Sequence, residues 1–126
     1  MNAATIPAGQ LACLLHDSAA GICADTAATA LITAHDHFLH QPGFRRIITA
    51  GSSTCSGEPV AVIRWKAAIH ALDTGLLPCS SSEQAILRIA ASIGDPAIPV
   101  CLRSVLGGLD RRNIALVAGA ITAANG

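Results

Sequence analysis

Aromatic residues are nearly missing from this chain of 126 residues: there is no tyrosine, and Trp65, Phe38 and Phe44 are the whole set. A core built on large rings is thereby excluded. Alanine is abundant instead, so helices should pack on helices through small side chains, with close backbone approach. Charge is scarce as well, at 13% of residues against about 25% in an ordinary globular protein, while 52% of residues are hydrophobic. That combination excludes a disordered chain. The formal net charge is zero, which argues against binding nucleic acid or an anionic membrane through overall field alone. The balance hides an asymmetry. No Lys or Arg precedes Arg45, whereas Asp17, Asp25 and Asp36 do, so residues 1–44 carry −3. The remainder, with eight cations and five carboxylates, carries +3.

Long apolar runs are also lacking. The closing uncharged run, Asn113 to Gly126, has 14 residues, too few to span a bilayer. The opening stretch has no basic region, and Gln10, His16 and Asp17 break its apolar run, so a secretory signal is not expected and a cytoplasmic protein is. Five cysteines (Cys13, Cys23, Cys55, Cys79, Cys101) form an odd set with no C-x-x-C pair. This disfavours a disulfide framework and a standard zinc module, and most are expected to be buried thiols.

What is present reads as a mostly α (α+β) fold of four or five helices with one β-hairpin. Residues 1–22 read as a loosely ordered extension with a weak helix from Leu11 to Ala20, and residues 23–126 as a single helical domain. Asp25 is a plausible N-cap, and Ala27, Leu31, Ala34 and Phe38 recur at helical spacing until Gln41-Pro42-Gly43. β-Branched residues on either side of a Gly/Ser-rich turn predict strands near Arg46–Ala50 and Val60–Arg64. The segment from Trp65 is a short amphipathic helix with Trp65, Ala68, Ile69 and Leu72 on one face, closed by Gly75. Ser80-Ser81-Ser82-Glu83 then supplies an S-x-x-E capping box, followed by a core stripe of Ile86, Ile89, Ala90 and Ile93. A short helix over Val100–Leu106 and a Gly107-Gly108 turn lead to Asp110, which caps the last helix with Asn113 at the third position.

The pattern W-K-A-A-x-x-A-L-x-x-G-x-L-P-C-S-x-x-E, followed by L-R-I-A-A-S and G-L-D-R-R-N, resembles small proteins of high-GC actinobacteria over roughly residues 43–126. The resemblance implies a domain and carries no activity, cofactor or site.

Candidate sites follow from the faces of these helices. After Arg112 the last helix has no charged side chain. Ile114, Val117, Ala120, Ile121 and Ala124 form a core stripe, and Ala115, Gly119 and Ala123 line the opposite side as a groove of small residues. That groove should be covered, either by the chain itself or by a second copy in a homodimer. A small interaction or regulatory protein, paired through this helix, is the leading functional reading. The alternative is a helix-turn-helix-like DNA-binding regulator whose Arg111 and Arg112 reach guanine edges or phosphates. Third stands a metal- or thiol-dependent enzyme. His37 and His40, three apart on one helical face, are weak metal candidates with no third ligand in view, while His35 falls on the apolar side. Cys79, just before a capped helix, is the candidate reactive thiol, with His70 the nearest base in sequence. No catalytic residue, cofactor or membrane partner is assigned.

Overall fold

The computed structural model describes residues 2–126, and within them the chain forms helices around one two-stranded hairpin. Five helices are two turns or longer: α1 (Ala8–Ala19), α2 (Cys23–His35), α4 (Trp65–Asp73), α5 (Ser81–Gly94) and α7 (Arg111–Ala124). Between them lie two short helices, α3 (Pro42–Arg45) and α6 (Leu102–Leu106). The hairpin pairs β1 (Ile48–Ser52) with β2 (Pro59–Ile63), antiparallel, with Ile48 opposite Ile63 and Ser52 opposite Pro59. The mostly α fold with one hairpin read from the sequence is the fold observed.

α2 is the centre, packed by α5 and α7, while α4 lies on α5 and α1 lies on β2 and α2. Ala27, Ala28, Ile32, Ile86, Leu87, Ala90 and Ala91 are fully buried at these crossings. Small side chains there let backbones come close, as the alanine content requires. Two of the three aromatics complete the core: Phe38 and Phe44 are fully buried with ring centroids 5.1 Å apart. Inward residues of the hairpin, Ile48, Ala61 and Ile63, are buried too, while Val62 faces out.

Residues 2–22 differ from the loose extension expected of this segment. α1 buries Leu11 and Leu15 in the core, and Ala3 and Ile6 before it are also buried. Side chains far along the chain fix this segment in place. Arg45 donates to the carbonyls of Leu39, Ile6 and Ala4, the Ala61 amide donates to Ser18 Oγ, and His16 Nε2 lies 2.9 Å from Thr33 Oγ1. α1 thereby covers the otherwise open edge of β2. None of these partners is visible in the local pattern, which is why the segment reads as loose.

Local signals place the other boundaries well, with two corrections. Gly75, at φ 79°, closes α4, and the S-x-x-E box starts α5 as read. α2, however, begins at Cys23 with Asp25 in its first turn, and stops at His35. Asp36 adopts the left-handed conformation (φ 59°, ψ 46°) and donates its N–H to Ile32 O, which ends the helix before Phe38. His37 and His40 therefore bracket a separate 3-10 turn and do not share a helical face. The cysteines also depart from expectation: all five are free, and Cys13, Cys23, Cys55 and Cys101 are exposed. Cys13 and Cys23 lie on outer helix positions, Cys55 in the hairpin turn and Cys101 on extended backbone just before α6. Among the described residues no helix is long and apolar enough to cross a membrane.

Candidate functional site

Two features stand out, and α7 is the one the sequence singles out. Asp110 Oδ1 accepts the Asn113 N–H at 2.8 Å, so the helix starts where its cap predicts. Its rotation is set by Asn113, whose Nδ2 donates to Ser82 Oγ at 2.6 Å and whose side chain is buried. With Asn113 inward, the buried line is Asn113, Val117 and Ala120, flanked by half-buried Leu116 and Ala124. The expected core stripe is corrected at two places: Ile114 is 40% exposed and Ile121 52% exposed. Turning one polar residue inward for a hydrogen bond moves both isoleucines to the outside.

Ala115, Gly119 and Ala123 are exposed, and a Cβ built on Gly119 would meet nothing within 4 Å. The described residues therefore leave this face uncovered, contrary to the reading in which the chain buries it. α7 runs antiparallel to α2: Arg112 Nη2 is 3.4 Å from Ala34 O at one end, and Gly126 lies beside Cys23 at the other. At that far end Ala123 shares a shallow groove with Ile22, which is itself 59% exposed. Arg111 and Arg112 are both exposed at the helix start, but Arg112 is turned back toward the α2 carboxyl end.

The second feature is polar: the sequence singled out His37 and Cys79 separately, but not their meeting with Glu83. His37, Cys79 and Glu83 each present a ligand-type atom, and the three atoms lie within 4.8 Å of one another. His37 Nδ1 is 3.2 Å from Glu83 Oε2, while Glu83 Oε1 accepts the Ser80 N–H at 2.8 Å to complete the capping box. Cys79 sits one residue ahead of that cap, on backbone held from both sides. Gln41 Nε2 donates to Pro78 O at 2.9 Å and Gln84 Nε2 to Cys79 O at 3.3 Å.

Around the trio, buried polar atoms lack partners: His37 Nε2, His35 Nδ1, Gln41 Oε1 and Asn113 Oδ1. Burial, reinforced by His37, lowers the His35 pKa. Glu83 is held below the usual carboxylate range, chiefly by the Ser80 backbone N–H, with His37 adding to it. Burial and the Glu83 charge push the Cys79 thiol up, the reverse of the lowering expected from its place ahead of a helix. Exposed Cys101 is held below its ordinary value by hydrogen bonds with Ser104.

Of the sequence-predicted site residues, His37 enters this cluster and His40 does not. His40 Nε2 pairs instead with Asp36 at 2.9 Å on the surface. The imidazole beside Cys79 is that of His37, whereas His70 is exposed on α4. The capping box did mark Glu83, but as a structural group, and nothing within one turn of it announces His37. No known protein family, curated protein or solved structure matches the chain.

Proposed function

We propose that this chain is a small cytoplasmic interaction protein that pairs with a second copy of itself through the outer face of α7. The observation that carries the reading is the pair of exposed isoleucines, Ile114 and Ile121, set around Ala118 and Gly119 at the middle of the helix. An uncharged face with its smallest residues at its centre matches a copy of itself under a two-fold axis. Antiparallel pairing about that centre brings Arg111 of one copy toward the carboxyl end of the other copy's α7. That end has no basic residue of its own in its last turn, so Arg111 complements its dipole. Exposed Ile22 beside Ala123 extends the apolar area beyond the helix.

Light scattering or sedimentation equilibrium at micromolar concentration tests this. Dimer is expected for the wild type, and folded monomer for Gly119→Leu and for Ile121→Asp, with circular dichroism unchanged. A wild-type monomer across the range, or an intact Gly119→Leu dimer, overturns the proposal. A titration with double-stranded DNA belongs in the same series. A salt-dependent complex lost in Arg111→Ala would give this helix to nucleic acid instead.

A further inference from the structure

We infer that His37, Cys79 and Glu83 form a binding site for a divalent cation of the zinc type, with three protein ligands and a fourth position open to solvent. The donor set is one imidazole nitrogen, one sulfur and one carboxylate oxygen, a mixture that suits a borderline-soft ion and is poor for calcium or magnesium. With metal–nitrogen and metal–oxygen bonds of about 2.0–2.1 Å and metal–sulfur of about 2.3 Å, a tetrahedral site places its ligand atoms about 3.3–3.6 Å apart. The 3.2 Å between His37 Nδ1 and Glu83 Oε2 already lies near that edge length, and the widest separation in the trio is 4.8 Å at most. Closing on an ion therefore asks for side-chain movements of the order of 1 Å.

Preorganisation supports the site. The Glu83 carboxylate is oriented by the Ser80 N–H on its other oxygen, and the backbone carrying Cys79 is pinned by Gln41 and Gln84. Such outer hydrogen bonds are how a ligand set is held ready for its metal. His37 is delivered from a different part of the chain, by the left-handed turn at Asp36. Its Nδ1 is the ring nitrogen turned toward Glu83, which leaves Nε2 as the outward nitrogen of a ligating imidazole. All three ligands are half-buried, so an ion here keeps one side toward water. On binding, the Cys79 proton leaves to solvent as the sulfur takes up the ion.

Cobalt(II) titration of the EDTA-treated full chain tests the site, in a background with Cys13, Cys23, Cys55 and Cys101 changed to Ser so that Cys79 is the only thiol. One equivalent is expected to bind, with a thiolate-to-cobalt charge-transfer band in the near ultraviolet and visible bands of four-coordinate intensity. Cys79→Ser should abolish the charge-transfer band. His37→Gln and Glu83→Gln should each weaken binding about a hundredfold or more, beyond the range typical of losing an outer hydrogen bond to a ligand. Glu83→Gln preserves the capping box, so its loss of binding cannot be put down to unfolding. Failure of this four-serine background to bind cobalt while it remains folded overturns the inference. So does a titration that is the same in the background and in its His37→Gln and Glu83→Gln variants.

Discussion

α5 and α7 are both 14 residues long, both start on a side-chain cap, and both carry one glycine. Their surroundings could hardly differ more. α5 lies between α2 and α4, and buries Ala85, Ile86, Leu87, Ile89, Ala90 and Ala91 almost completely. α7 has α2 on one side with α5 beside it, and buries only Asn113, Val117 and Ala120. The glycines repeat the contrast: a Cβ on Gly94 would run into the Trp65 indole, whereas one on Gly119 would meet open space. Two helices of similar length and capping thus differ in burial, because burial is conferred by neighbours and not by the helix itself. An apolar helix covered on one side leaves an exposed face, whereas one covered on both sides belongs to the core.

The sharpest way to break this comparison is to truncate within α5. Leu87→Ala empties a fully buried position, and a loss of about 2–5 kcal/mol is expected in denaturant unfolding. A loss under 1 kcal/mol would mean that α5 is not the covered helix. The glycine pair comes next. Gly94→Ala should cost about 1–3 kcal/mol because the indole must move, whereas Gly119→Ala should stabilise the monomer by up to about 1 kcal/mol through helix propensity. Thermal midpoints measured at a concentration where the chain is monomeric should therefore shift in opposite directions. Equal shifts would erase the distinction between the two helices.

Removal of the caps should affect both helices alike. Ser80→Ala with Glu83→Ala, and separately Asp110→Ala, should each lower stability by about 1 kcal/mol. An unchanged midpoint in either would place that helix start elsewhere. The smallest effect is expected from Ile121→Ala, within about 0.5 kcal/mol for the isolated chain because the side chain is half exposed. The same substitution should weaken self-association, so a dilution series read by light scattering separates its two effects.

What was legible in the sequence lies within one turn of itself. The Ser80 and Glu83 box, the Asp110 cap and the Gly75 stop act over three to five residues, and the β-branched strands are neighbours across one Gly/Ser turn, so none of them needs a distant partner. That Ala115, Gly119 and Ala123 share one face was also readable from helical spacing, but the face was expected to be covered and the described residues leave it exposed. The extent of α2 was misread because Phe38 continues an apolar spacing that the left-handed Asp36 interrupts. Burial of Phe38 against Phe44 explains how both facts coexist: the spacing served the core without serving the helix.

By itself, then, the sequence determined the helices, the hairpin, the caps and the choice of a small-residue core, since hydrogen bonding inside a turn and apolar periodicity act locally. Tertiary structure alone decided which side of α7 faces inward, through the Asn113 bond to Ser82. It also decided that Arg45 draws the first residues into the domain, and that His37 meets Cys79 and Glu83. Each of these joins groups 30 or more residues apart. Their energies depend on where the intervening helices pack, which no local pattern encodes.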